Sequence, residues 1–91
     1  MPTRPSQNDP DRVAQWERIR LQVGHRIREA RKREGLTQEQ LSLASGVTRN
    51  VLIDVEQGRR GLLYERLFDI AAALGVEVVD LVASGERWES P

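Results

Sequence analysis

Residues 37–58 read TQEQLSLASGVTRNVLIDVEQG, and this stretch predicts two short helices joined by a tight turn. Thr37, followed three residues later by a glutamine, forms a capping box, which marks the start of the first helix. Gly46 ends that helix, because glycine readily adopts the positive φ at which a chain reverses. Thr48 caps the second helix, which stops at Gly58. The spacing alone predicts a helix-turn-helix.

Apolar residues recur at helical spacing on both sides of this unit. Upstream, one stripe begins after Asp9, and Gly24 in its middle leaves open whether it forms one helix or two. Downstream, the pattern predicts a fourth helix over Tyr64–Leu74 and a fifth over Val78–Ala83. The valine-rich segment 76–82 also fits a strand, but the chain offers no second strand to pair with it. The sequence therefore predicts an all-α fold of five helices.

The pattern divides the chain into one domain with two flanking segments. Residues 1–8 contain two prolines and no apolar period, which predicts a disordered leader. Residues 9–83 form the domain, with a core over 22–83, and residues 84–91 form a polar tail. Apolar residues expected to face the interior include Ile27, Ala30, Leu41, Ala44, Val47, Leu52, Val55, Leu67, Ile70, Ala71 and Leu74.

Composition excludes several classes of protein. The 91 residues contain no cysteine and one histidine, which excludes disulfides, thiol nucleophiles and typical zinc centres. No apolar run is long enough to span a membrane. The net charge is zero, but residues 1–36 carry nine basic and five acidic side chains, and residues 62–91 carry two and six. A basic face suits a polyanionic partner, and opposite charges on the two parts of the chain suit head-to-tail self-association equally well. We expect a cytoplasmic chain that is not an enzyme and binds no cofactor or metal.

Four blocks of sequence carry a family resemblance: GLTQEQL at 35–41, SGVTR at 45–49, VEQGR at 55–59 and IAAALGV at 70–76. Their order and spacing resemble the phage repressor/Cro family of DNA-binding domains, also called the XRE-type helix-turn-helix. The resemblance implies a five-helix, lambda-repressor-like domain, here with an extended N-terminal helix. It also implies that the third helix enters the major groove of double-stranded DNA, and that a homodimer binds a palindrome.

The resemblance assigns base-reading positions to Thr48, Arg49, Asn50 and Asp54. Arginine can bridge guanine O6 and N7, asparagine can pair with adenine, and a carboxylate can accept from a cytosine amino group. The alternative is that Arg49 and Asn50 are solvated residues at a helix start. For Asp54, a solvated acid is an equally open interpretation.

Phosphate-binding positions are assigned to Thr37, Gln38, Gln57, Arg59 and Arg60. Gln38 opens the second helix, whose N-terminus attracts anions. Capping is the structural role of Thr37, and two consecutive arginines are also ordinary in a solvated turn. The resemblance further implies a structural ion pair between Arg31 and Glu56.

Apolar residues replace the polar or capping residues of the family pattern at Leu43, Ile53, Leu62, Leu63 and Tyr64. Exposed apolar groups of this kind indicate an interaction surface. The segment 62–64 is the first candidate for a dimer or partner contact. The second is the segment 11–22, whose apolar stripe includes Trp16. Ile53 fits either a thymine methyl or a protein contact.

Together these features predict a sequence-specific DNA-binding regulator, most simply a dimeric repressor of transcription. An antitoxin or a restriction–modification controller of the same fold is the nearest alternative. A protein–protein adaptor that keeps the helix-turn-helix scaffold is the alternative from another class. Zero net charge and Asp54 favour the adaptor. The features that favour DNA are Gln38, Arg49, Asn50 and the turn formed by Arg59 and Arg60.

Overall fold

A computed structural model describes residues 9–83, which contain five helices and no strand. The helices are α1 (Pro10–Arg33), α2 (Gln38–Ser45), α3 (Arg49–Glu56), α4 (Tyr64–Leu74) and α5 (Val78–Val82). This architecture confirms the predicted all-α fold. The predicted leader, 1–8, and the predicted tail, 84–91, lie outside the described residues.

The first helix continues without a break through Gly24. It begins at Asp9, whose carboxylate accepts a hydrogen bond from the backbone N–H of Asp11 at 2.9 Å. Gly24 is buried where the end of α3 crosses α1, and a Cβ atom there would overlap the Val55 carbonyl oxygen and lie 3.1 Å from the Glu56 carbonyl oxygen. The glycine thus allows a close helix–helix approach and does not end the helix.

The core lies between the helix-turn-helix and the flanking helices. α1 packs against α3 and α5, while α2 packs against α3 and α4. In the part of the chain that the structure describes, ten apolar residues are buried: Ile27, Ala30, Leu41, Val47, Leu52, Val55, Ile70, Ala71, Leu74 and Leu81. Within residues 9–83, no helix combines the length and the apolarity needed to cross a bilayer.

The phase of α2 differs from the prediction by one residue. Ala44, expected to face the core, is exposed, and Ser45 is buried instead. Ser45 lies one turn after Leu41 on the same side of the helix. Its hydroxyl accepts a hydrogen bond from the backbone N–H of Val47 at 3.2 Å, which satisfies the buried oxygen.

Candidate nucleic-acid interface

The starts of α2 and α3 are fixed by side-chain caps. The Thr37 hydroxyl accepts from the backbone N–H of Gln40 at 3.0 Å, and the Gln40 side chain accepts from the backbone N–H of Thr37 at 2.8 Å. Gly46 has a φ of 77°, which turns the chain between the two helices. Thr48 caps α3 by accepting from the backbone N–H of Val51 at 3.4 Å. The caps set where each helix begins, and thereby which residues reach the surface.

The third helix has a buried face and an exposed face. Leu52, Val55 and Glu56 point into the domain and are buried. Arg49 and Asn50, in the first turn, are exposed, as is the capping residue Thr48. Within residues 9–83 the Arg49 and Asn50 side chains make no hydrogen bond, so their donors are available to a partner.

A buried ion pair connects α1 to the end of α3. Arg31 donates from Nε to Glu56 Oε2 at 2.8 Å and from Nη2 to Glu56 Oε1 at 2.9 Å. Its Nη1 donates to the Leu36 carbonyl oxygen at 2.8 Å, and the Gln38 amide donates to Glu56 Oε1 at 3.2 Å. The two charged side chains are only 12% and 2% exposed. One carboxylate therefore binds α1 and the first residue of α2 to α3.

Hydrogen bonding to Glu56 stabilises the charged form of Arg31. The hydrogen bonds that Arg31 donates to Glu56 raise the pKa of the guanidinium, and the carboxylate charge adds to that effect against the opposing effect of burial. Removing one partner would leave the other charge buried and uncompensated, which is costly. The pair therefore fixes the orientation of α3 relative to α1.

The C-terminal end of α3 is closed by backbone hydrogen bonds that involve Asp54 and Arg59. Gly58, with a φ of 73°, donates its N–H to the Val55 carbonyl at 3.0 Å, and the Arg59 N–H donates to the Asp54 carbonyl at 2.8 Å. These two bonds form a Schellman motif. The side chains also pair, because Arg59 Nε and Nη2 both donate to Asp54 Oδ1, at 3.2 and 2.8 Å.

The structure brings together some of the predicted DNA-contacting residues. Thr37, Gln38 and Arg49 line one shallow depression between the starts of α2 and α3. Asp54 and Arg59, assigned separately to a base and to a phosphate, are in contact with each other. Gln57 and Arg60 are both exposed after the buried face of α3 ends.

Sequence reasoning missed two contacts at this interface. It assigned Gln38 to DNA without the hydrogen bond to Glu56, and it did not pair Asp54 with Arg59. The sequence does contain a signal for the second contact. An acidic residue that lies five positions before a basic residue, with glycine directly before the basic residue, fits a helix that ends in a Schellman motif.

The predicted partner surface is only partly exposed. Leu63 is 71% and Tyr64 is 72% exposed, but Leu62 packs against the core. Trp16 is half-buried, with the Arg12 guanidinium 5.9 Å from its ring centroid. Leu21, in the predicted second contact segment 11–22, is also exposed; further exposed apolar residues that the sequence did not point to for this role are Phe68, Val79 and Val82.

Comparisons with a family model and with known proteins all point to the same family. The helix-turn-helix family model matches residues 27–81. The HTH-type transcriptional regulator y4dJ of Sinorhizobium fredii is 39% identical over 64 residues, which are 70% of this chain and 83% of that protein. The control protein C.BamHI of Bacillus amyloliquefaciens is 32% identical over 65 residues, covering 70% of this chain and 80% of that protein.

A solved structure shows the same arrangement of helices. The restriction-modification controller protein C.AhdI from Aeromonas hydrophila superposes with a TM-score of 0.67 and 35% identity, over 68% of this chain and 94% of that one. The family model covers more than half of the chain, and it includes both helices of the predicted helix-turn-helix. The chain therefore belongs to the XRE-type helix-turn-helix family.

Proposed function

We propose that this chain is a transcriptional regulator that reads a DNA sequence through the major groove and binds a palindromic operator as a homodimer. The observation that carries the proposal is the division of α3 into two faces. Its buried face is tied to α1 through Glu56, while Arg49 and Asn50 extend from its first turn with donors that make no hydrogen bond to any residue from 9 to 83. A rigidly held helix with free polar side chains at its start is suited to reading base edges.

Base reading is assigned to Thr48, Arg49 and Asn50, and phosphate binding to the polar residues around them. Gln38 lies at the N-terminus of α2, where backbone N–H groups favour an anion, and Thr37 caps that helix. Gln57 and Arg60 are exposed after α3 and suit the sugar–phosphate backbone. A repressor is the simplest form of such a regulator, because occupying an operator is enough to block transcription.

Selection of duplex DNA from a random pool tests this function directly. We expect a palindrome with half-sites about one helical turn apart. Arg49→Ala should weaken binding to that site by about 1–3 kcal/mol and relax preference at one base pair, whereas Arg60→Ala should weaken all duplexes alike. Arg26→Ala is the matched control, because it also removes an arginine but not one of the proposed DNA-contacting residues. The Arg26 guanidinium instead donates to the Asp80 carbonyl oxygen on α5 at 3.5 Å. Failure of the wild-type protein to enrich any sequence would favour the protein–protein adaptor.

The homodimer contact is assigned to Leu63 and Tyr64, with Trp16 as a second contact region. Leu63→Glu should produce monomers in analytical ultracentrifugation, because the substitution places a charge in an apolar contact. Leu43→Glu is the matched control, because it makes the same substitution at an 81% exposed leucine on α2, outside the two segments assigned to the dimer contact, 62–64 and 11–22. A dimer that persists in Leu63→Glu would move the contact to the first turns of α1.

A restriction–modification controller is the second candidate. It is favoured because the region of similarity covers 80% of the length of one control protein and 94% of the solved chain of another. A controller and a repressor share the same DNA-binding chemistry, so binding alone does not separate them. Placing the selected operator upstream of a reporter, with the protein supplied at increasing levels, distinguishes a repressor from a protein that also activates.

A further inference from the structure

The contact between Asp54 and Arg59 is built into the end of α3. The Schellman motif anchors the Arg59 backbone to the Asp54 carbonyl at 2.8 Å, and two guanidinium nitrogens then reach the same carboxylate oxygen at 3.2 and 2.8 Å. Three hydrogen bonds therefore fix Arg59 relative to the helix. The backbone bond requires Gly58 at positive φ, so the glycine places this side chain as well as ending the helix.

Stability does not account for this pair. The Arg59 and Asp54 side chains are 58% and 39% exposed, and ion pairs with this much solvent contact add little to folding. The buried Arg31–Glu56 pair, in contrast, holds helices together. An exposed pair with defined geometry, at the edge of a proposed DNA-binding surface, suits a role in binding.

The position of the pair on α3 relates it to DNA. Asp54 lies one turn after Asn50, so both residues project from the same side of the helix. An uncompensated carboxylate there would repel phosphates. The pair with Arg59 neutralises that charge, and it also removes Arg59 from the set of free cations that attract any polyanion. The outer guanidinium N–H groups, which do not face Asp54, can still donate to one DNA group once α3 lies in the groove.

We infer that Asp54 is a specificity-determining positioning residue, which acts through Arg59 and not by reading a base. It holds the guanidinium so that Arg59 contributes little to sequence-independent binding and contributes a directed contact in the operator complex. The inference rests on the proposed operator-binding function. Its consequence is that removing the carboxylate strengthens binding to non-cognate DNA more than binding to the operator.

The test measures affinity for the operator and for an unrelated duplex across a range of salt concentrations. In Asp54→Asn, Arg59 is free to neutralise a phosphate, so the salt slope on the unrelated duplex should steepen by about 0.9. The ratio of variant to wild-type affinity for the unrelated duplex should then fall about 3.5-fold between roughly 50 and 200 mM salt. At low salt, the specificity ratio of Asp54→Asn, operator over unrelated duplex, should be lower than that of wild type. Asp54→Glu retains a carboxylate and should restore both values toward wild type.

Two further comparisons separate this role from a general charge effect. Glu29→Gln removes one negative charge from the exposed side of α1, away from the proposed DNA-contacting residues, and Glu29 forms no ion pair within residues 9–83, so its salt slope should stay near wild type. In an Arg59→Ala background, Asp54→Asn should change the slope much less, because it then removes only the repulsion of an uncompensated carboxylate and frees no arginine. A slope that changes equally with or without Arg59 would overturn the inference, and so would a changed preference at one base pair in both backgrounds, which would make Asp54 a base reader.

The outcome also separates this inference from the proposed function. If the wild-type protein prefers the operator but Asp54→Asn keeps the wild-type salt slope and specificity ratio, only the role of Asp54 is wrong. If the wild-type protein binds all duplexes equally, the proposed function is wrong, and the role of Asp54 fails with it.

Discussion

Replacing Gly24 with alanine should destabilise the protein, although alanine is the better helix former. The added Cβ would overlap the Val55 carbonyl oxygen and lie 3.1 Å from the Glu56 carbonyl oxygen. Both neighbours are backbone atoms, so neither can rotate away as a side chain could. An ordinary C···O contact is about 3.3–3.6 Å, and restoring one requires α1 and α3 to move apart by about 1 Å.

The magnitude follows from two opposing effects. Forcing extra volume into a packed contact costs about 1–3 kcal/mol, and the upper half of that range applies because the obstacle is backbone. Alanine recovers about 1 kcal/mol through its helix propensity. The expected net loss is about 1–2 kcal/mol in the free energy of unfolding. For a domain of this size that loss lowers Tm by about 4–16 °C.

Circular dichroism at 222 nm, followed in urea and in a thermal melt, measures this loss. Gly61→Ala is the matched control, because a Cβ at Gly61 would meet only the Arg20 Cδ atom at 4.0 Å. That variant should stay within about 0.5 kcal/mol of wild type. A Gly24→Ala protein that is more stable than wild type would refute the close approach of α1 and α3.

Two further predictions concern the other contacts that fix the helix-turn-helix. Glu56→Ala should cost about 3–5 kcal/mol in urea unfolding, because it leaves the Arg31 charge buried without its partner, whereas Glu29→Ala on the exposed side of α1 should be nearly neutral. Thr37→Ala should cost about 1 kcal/mol through loss of the α2 cap, and Thr37→Ser, which keeps the hydroxyl, should restore most of it; equal stability of the two variants would remove the capping role.

Local signals in the sequence were sufficient for most of the fold. The Thr37 cap and the glycine at position 46 are short-range features, and the structure has a helix start and a left-handed turn where they predict them. The continuity of α1 could not be predicted, because the reason for Gly24 is a contact with residues about thirty positions later. The phase of α2 also depended on tertiary packing, which favoured a satisfied serine over Ala44.

The position of the candidate site could be predicted from the sequence, but the hydrogen bonds and ion pairs between its side chains could not. The exposed residues at the start of α3 follow from helix periodicity once the cap at Thr48 is placed. The hydrogen bond from Gln38 to Glu56 and the pairing of Asp54 with Arg59 depend on where flexible side chains settle. Leu62 packs inward while Leu63 does not, because the chain before α4 directs neighbouring side chains to opposite sides.

The buried and exposed faces of α3 differ in how well they tolerate substitution. Leu52, Val55 and Glu56 pack inside the domain, so most substitutions at these positions lower its stability. Arg49 and Asn50 make no side-chain hydrogen bond within residues 9–83, so their replacement leaves the fold nearly unaffected. After gene duplication, a copy of such a protein can acquire a new preferred sequence through one or two substitutions, and every intermediate along that route remains folded.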